Sequence, residues 1–528
     1  MASPATPAET GTPGLQYASP VGRWVLAATV LGSGIAALDA TVVGIALPAI
    51  GRDFHVGEAS LQWVVDAYTL SLAGLLLLGG TLGDRYGRRK VFLIGTVWFA
   101  LASLLCGVAP NAPTLILARA IQGVGAALLT PGSLSILQAS FVKDDRSKAI
   151  GAWSGLGGLA TAVGPFIGGW LISAVSWRLI FFINLPLAAV VVAISLRHVP
   201  ESKAPDETGP LDVPGAVAIT GALVGITYGL IAVSGHGWTS GTVLASLLGG
   251  VALLAAFLVI ESRRAEPMLP LGVFGSRQFS AANAVTFVVY GALGGTLFLL
   301  PTVLQEAAGY SPLASGAALL PVTLIMLLLS ARSGALAARI GPRLQMSVGP
   351  LVIAAGLLLF MRVAGSGGYI VDVLPAVLVF GFGLAINVAP LTSTALSAVP
   401  AEHAGIASAV NNDVARVAGL IAVAVLPVAA GITGESYLHP AELTQGFQKA
   451  VLIAAIACAA GGVLAFATIR NPPRPQRQPG QPAPEASVQP GLHCGLDAPP
   501  LRGDGVPAGP AGRAPAGPAG RAAEAPGP

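Results

Sequence analysis

The sequence predicts an all-α polytopic membrane protein, and three observations carry that reading. Of 528 residues, 54% are hydrophobic and only 10% charged, with mean hydropathy +0.76; soluble domains carry about 25% charge. Fourteen apolar runs are each long enough to cross a bilayer, which takes about 20 residues. Lysine and arginine collect in alternate connections between those runs. This composition excludes a cytosolic enzyme, and the apolar content excludes disorder of the whole chain. Cys106, Cys458 and Cys494 lie far apart and form no CxxC pair, so neither a disulfide framework nor a metal is expected. The net charge of +4 is too small and dispersed for a nucleic-acid partner.

Taken in order, the runs cover 23–50, 61–82, 91–110, 113–140, 149–172, 179–197, 213–235, 241–261, 280–305, 313–333, 346–364, 371–395, 405–430 and 447–468. They are rich in Gly, Ala and Leu. Glycines that would weaken a helix in water let helices pack closely in lipid. Residues 1–22 are polar and lack a charged segment followed by an apolar one, so no cleaved signal is expected and the first span stays. If the N-terminus is inside, the inner connections hold Arg85, Arg88, Arg89, Lys90, Lys143, Arg146, Lys148, Arg197, Lys203, Arg263, Arg264, Arg277, Arg339 and Arg343. The outer ones hold only Arg52, Arg178, Arg362 and Lys449. This bias places both termini in the cytoplasm and supports the count of spans. Residues 469–528 read as a disordered cytoplasmic tail: the stretch from 471 holds 15 of the 41 prolines, and PAGPAGRA occurs twice in tandem.

Gly80-Thr81-Leu82-Gly83-Asp84-Arg85-Tyr86-Gly87-Arg88-Arg89-Lys90 follows the second span. A weaker echo, Gly334-Ala335-Leu336-Ala337-Ala338-Arg339-Ile340-Gly341-Pro342-Arg343, follows the tenth. Two related inner turns eight spans apart suggest duplicated halves. The first turn resembles the signature loop of the major facilitator superfamily; the second lacks the acid. Leu38-Asp39-Ala40-Thr41-Val42-Val43-Gly44-Ile45-Ala46-Leu47-Pro48 resembles the first-span motif of its fourteen-span drug:proton antiporters, with Gly44 where an Asn is usual. Arg119-Ala120-Ile121-Gln122-Gly123-Val124-Gly125-Ala126 resembles their fourth-span arginine motif, and Gly164-Pro165-Phe166-Ile167-Gly168-Gly169 their antiporter motif. Trp177-Arg178, Phe182-Ile183-Asn184-Leu185-Pro186, Leu304-Gln305 and Gly309-Tyr310-Ser311-Pro312-Leu313 match its connections. The resemblance covers roughly 23–468. It implies two six-helix bundles, 23–197 and 280–468, with spans 7 and 8 inserted within a 198–279 linker, and a substrate cavity between bundles that rock.

Asp39 lies in mid-span, where an ionisable residue is a functional hypothesis by default. Burial disfavours its charge and a nearby cation favours it, so a group balanced between the two can load and release a proton. At 1.5 Å per residue Asp39 lies roughly 16 Å, and Arg119 about 9 Å, below the outer end of its span, so the two can meet. Arginine keeps its proton and can only modulate the acid; a static salt bridge is the plain alternative. Gln122, one turn from Arg119, can hold it or contact substrate. Asp413 and Arg416 are three apart and can pair with each other, or Asp413 can be a second proton or cation site. Asn411 is a substrate-binding candidate beside them. Asp66 lies near the outer mouth, either attracting cationic substrate or simply solvated. The resemblance makes Asp84, with Gly80, Arg85, Gly87 and Arg88, a conformational latch against the span 13 N-terminus. It also gives Gly164, Pro165, Gly168 and Gly169 a role in sealing the inner path.

The leading function is proton-driven antiport, exporting a small amphipathic or apolar drug or antibiotic across the cytoplasmic membrane by a monomer without cofactor. A dedicated exporter of a self-made metabolite and an uptake symporter are the alternatives. No GxxxxGK[ST] loop supports direct ATP use. The histidines are scattered outside the span cores, which disfavours a membrane enzyme.

Overall fold

The computed structural model describes residues 14–203, 211–265, 267–364, 368–400, 404–434, 436 and 439–471. The tail from 472 on, His403 and the first thirteen residues lie outside the described residues. Fourteen helices have the length and hydropathy to cross a membrane: Pro20–Phe54, Glu58–Tyr86, Arg88–Gly107, Ala112–Ser140, Lys148–Ala174, Leu179–His198, Val213–His236, Gly241–Arg263, Arg277–Ala307, Pro312–Ile340, Pro342–Arg362, Tyr369–Ser397, Ile406–Ala430 and Pro440–Thr468. They are numbered here as spans 1 to 14. Each corresponds to one run of the sequence. Several ends extend beyond the run because polar caps prolong the helix: Ser19, Asn111 and Ser276 accept the first free backbone N–H groups of spans 1, 4 and 9. Two spans break where a proline withholds a backbone donor. Span 6 is interrupted at Ile183, three residues before Pro186, and span 10 at Leu319, two before Pro321.

The packing repeats with a shift of eight. Span 1 lies on spans 5 and 6 as span 9 lies on 13 and 14. Span 4 lies on 2 and 3 as span 12 lies on 10 and 11, and span 3 meets span 6 as span 11 meets span 14. This makes two six-span bundles, 1–6 and 9–14. Spans 7 and 8 pair with each other, and span 7 wedges against both span 2 and span 13. The repeat extends to the turns. Glu201, just after span 6, accepts the backbone N–H of Arg89 (3.0 Å) and Lys90 (3.2 Å) at the start of span 3. Asn471, just after span 14, accepts the N–H of Arg343 (3.0 Å) at the start of span 11. Each bundle thus uses its last residues to cap the helix after its signature turn.

Among the described residues, the hydrogen bonds and ion pair between the bundles lie on one face. On the face away from the termini, Gln305 Nε2 donates to the Ile45 carbonyl (3.0 Å), Gln62 Nε2 to that of Val423 (3.1 Å), and Leu313 N to Ser173 Oγ (3.3 Å). Arg52 pairs with Glu306. The glycine motif of span 5 belongs to this seal: a Cβ on Gly168 would stand 2.6 Å from Val42 Cγ1, and one on Gly169 2.8 Å from Leu313 Cα. In this conformation the motif packs span 5 between span 1 and the start of span 10, on the side away from the termini. Among the described residues, no hydrogen bond or ion pair joins the bundles on the terminal face. There residues 14–17 lie along the turn between spans 4 and 5. The N–H of Tyr17, with Lys148, holds the Asp145 carboxyl below its usual range.

Gly87 has φ +111°, a conformation other residues rarely adopt, and a Cβ there would meet the Glu201 carboxylate at 2.8 Å. Gly80 has only Pro131 within reach, at 3.6 Å. Gly87→Ala is expected to cost about 1–3 kcal/mol of stability and Gly80→Ala little or none, measured as thermal melting of the purified protein; equal melting would contradict the turn geometry.

Candidate functional site

Asp39 projects from the middle of span 1 toward spans 2, 3, 4 and 6, and only 1% of it is exposed. An ionised carboxylate in such a place needs a partner for each oxygen, and it has them. Arg119 Nη1 pairs with Oδ2. Gln122 Nε2 (2.9 Å) and Asn184 Nδ2 (3.0 Å) donate to Oδ1. Ser103 Oγ accepts from both Asn184 (2.8 Å) and Gln122 (3.2 Å) and donates to the Phe181 carbonyl (3.0 Å). Arg119 also donates to Gln122 Oε1 (2.7 Å) and, through Nε, to the Val64 carbonyl (3.1 Å). Its guanidinium lies 4.2 Å from the Tyr68 ring centroid, a cation–π contact that replaces part of its hydration. One charge pair, shared by spans 1 and 4, is thus held by groups from three further helices, spans 2, 3 and 6.

Span 1 is two-faced around this acid. Ala36 and Asp39 face the network, and the Ala36 carbonyl accepts from the Tyr68 hydroxyl (3.3 Å). On the other side, Ala37, Ala40, Thr41 and Gly44 share a face by helical spacing. Ala40 is exposed and nothing lies within 4 Å of a Cβ placed on Gly44. The position where an Asn is usual is therefore open space. A change in the Asp39 pairing acts on the same helix that borders that space.

The other expected site residues fall elsewhere. Gln122 is in the network. Asn411 donates to Asn283 Oδ1 (3.1 Å) and Thr286 Oγ1 (2.9 Å) and so ties span 13 to span 9 within the second bundle. Asp413 and Arg416 do not form an ion pair: Asp413 Oδ1 and Arg416 Nε are both sealed from solvent without a hydrogen-bond partner. Three-residue spacing permits their contact without requiring it. Asp66 is not solvated. It is fully buried, with neither oxygen hydrogen-bonded, because its helix face is covered by span 13. One turn before it Gln62 meets Val423, and one turn after it Leu70 packs with Leu223 and Leu420. Asp84 Oδ1 accepts from Arg88 Nε (2.8 Å) within its own turn. Trp177 (3.1 Å) and Arg178 (2.8 Å) both donate to Asp53 at the end of span 1. Asn184, within the Phe182–Pro186 segment, and Ser103 complete the network, and nothing in their local sequence marks either as a site residue. Among the described residues no cluster of ligating side chains could hold a metal.

Two pseudo-repeated six-span bundles joined on one face, with a buried ion pair inside one of them, frame the site. The family model described as Major Facilitator Superfamily matches residues 29–423. A tetracenomycin C resistance and export protein of Streptomyces glaucescens is 36% identical over 403 residues, 76% of this chain and 75% of that protein. A puromycin resistance protein of Streptomyces alboniger is 36% identical over 459 residues, 84% of this chain and 90% of that protein. Among solved structures, a peptide transporter aligns with TM-score 0.64 over 87% of this chain and 96% of its own, at 16% identity. A D-xylose-proton symporter aligns with TM-score 0.61 over 85% and 98%, at 15% identity. The chain belongs to the major facilitator superfamily.

Removing one partner of a buried pair strands the other, at about 3–5 kcal/mol, whereas removing both costs far less. Arg119→Gln alone is therefore expected to lower the melting temperature more than Arg119→Gln combined with Asp39→Asn. Additive losses in the double variant would show that the two charges do not depend on each other.

Proposed function

We propose that the protein is a proton-driven antiporter that exports a small amphipathic or apolar drug or antibiotic across the cytoplasmic membrane and so confers resistance. The names of its relatives, tetracenomycin C resistance and export and puromycin resistance, support the cargo class. The observation that carries the coupling is the Asp39 network. A carboxylate sealed from water and neutralised by Arg119 cannot take a proton until that contact loosens. Once protonated it no longer attracts the guanidinium, which remains charged. The two states of Asp39 therefore favour two arrangements of span 1 against spans 2 and 4. Because the far side of span 1 borders open space at Ala40 and Gly44, cargo there and proton at Asp39 compete through one helix.

The terminal face is the cytoplasmic one in this reading, since the basic connections cluster there. Cargo then enters through the open terminal face. The seal built from Gly168, Gly169, Gln62, Gln305 and the Arg52–Glu306 pair parts to release it outside. Asp84 leaves Arg88 and meets the start of span 13 when the terminal face closes. Gly80, Arg85, Gly87 and Arg88 shape that turn, and Gly164 and Pro165 the seal. The protein works as a monomer.

A relative described as a multidrug resistance protein, from Mycobacterium tuberculosis, is 36% identical over 402 residues, beside relatives named for single antibiotics. Broad and dedicated export are thus both represented among its relatives. In inverted vesicles with an imposed proton gradient, wild type is expected to accumulate an exported dye or antibiotic, and collapsing the gradient to abolish accumulation. Asp39→Asn should reduce gradient-driven accumulation to background while the protein stays folded in the membrane. Undiminished accumulation by Asp39→Asn would remove Asp39 from the coupling.

A further inference from the structure

A second recess lies away from the open space beside span 1. Its volume is about 500 Å³, within the range of roughly 300–1,000 Å³ that holds drug-sized ligands. Its walls come from span 2, the span 7–8 pair, span 9, span 13 and the connector between spans 8 and 9. The Leu70, Ala73, Leu223 and Leu420 cluster, where span 7 wedges between the bundles, adjoins it. The connector is pinned: Arg264 pairs with Asp212 at the start of span 7, and Glu261 accepts the N–H of Leu269 (2.9 Å). Leu258 and Phe287, both on the walls, remain 44% and 41% exposed, so the recess is reachable.

Every lining residue is apolar or glycine except Asp413. Arg416, on the same helix, is near enough for its charge to act on Asp413 but makes no hydrogen bond to it. Asp413 makes no hydrogen bond or ion pair among the described residues, and its Oδ1 is sealed from solvent. A carboxylate in an apolar wall without a hydrogen-bonded counter-charge is costly, and a cation arriving from outside relieves that cost. Phe257, Phe274 and Phe287 add aromatic faces that suit a ring system or the diffuse charge of an organic cation.

We propose that this recess is a binding site for an amphipathic organic cation, whose charge is met by Asp413 and whose apolar body fills the space between span 2, span 8 and the connector. The assignment of such a cation as cargo rests on the export reading; the binding itself does not. A neutral lipid chain would match the walls and leave Asp413 as it stands, so the charge argues for the cation.

The test uses the full chain in nanodiscs, without a gradient, with ethidium as the cation and Nile red as a neutral apolar dye. Fluorescence titration should show ethidium bound, and Asp413→Asn should weaken its affinity relative to Nile red about tenfold or more. Asp413→Glu should restore much of that ratio. Leu258→Trp, which fills the recess, should weaken ethidium with the carboxylate intact. Azido-ethidium should label peptides containing residues 254–274 or 410–417, a readout that stands even if a variant misfolds. An unchanged ethidium to Nile red ratio in folded Asp413→Asn would overturn the proposal, as would labelling confined to span 1 or recovery of lipid alone from the recess. If vesicles show no gradient-driven transport while ethidium binding still depends on Asp413, the export reading fails and the site stands.

Discussion

The Asp39–Arg119 pair is the constraint on which the first bundle is built. Two full charges in a protein core within a bilayer are tolerable only if each is satisfied, and the satisfaction comes from five helices at once. Span 1 supplies the acid and span 4 the cation and Gln122. Span 3 supplies Ser103, span 6 Asn184, and span 2 the Val64 carbonyl and the Tyr68 ring. The pair therefore sets how these helices sit against one another, and a change in its charge is felt by all of them. The second bundle has no counterpart ion pair among the described residues; its neutral Asn411, Asn283 and Thr286 contacts tie span 13 to span 9, the counterparts of spans 5 and 1. The pseudo-symmetry of the fold is thus broken, among the described residues, at the buried Asp39–Arg119 pair.

That asymmetry suits a machine with one moving seal. The contacts that close the face away from the termini are short, few and of mixed type: two glutamine amides on backbone carbonyls, one ion pair, and glycines in span 5 against the start of span 10. They lie beside a buried apolar cluster shared by both bundles, with Val43, Leu47 and Ile50 of span 1 and Leu300, Val303 and Leu304 of span 9 among its members. Glycine lets the backbones touch without interlocking side chains, which favours sliding over jamming. Asp66, buried without a partner between spans 2 and 13, adds to the ease of opening, since exposure to water relieves it.

Much of this was legible in the residues. Runs of apolar sequence count spans because lipid forces every backbone group into a helix. Charges inside them stand out because they are rare there. Hence fourteen spans, Asp39 and Arg119 could be read directly. The partners Ser103 and Asn184 could not be: hydroxyls in spans commonly bond to the carbonyl one turn back, as Thr29, Thr96 and Thr286 do here, and nothing local marks the one that reaches another helix. Asp413 and Arg416 had a spacing that allows pairing, but rotamer and packing decided otherwise. The burial of Asp66 depends on span 13, some 350 residues away, so position near a helix end misled. Glu201 and Asn471 cap turns more than 100 residues distant, and only their equivalent places after the sixth and fourteenth spans reveal them.

The most direct measurement of the central claim is proton counting on binding. When the purified protein, in weakly buffered solution containing a pH indicator, is first acidified until it has taken up its proton and an exported compound is then added, the account predicts net proton release by wild type and none by Asp39→Asn. The same release from both proteins would contradict it, because the proton would then come from another group.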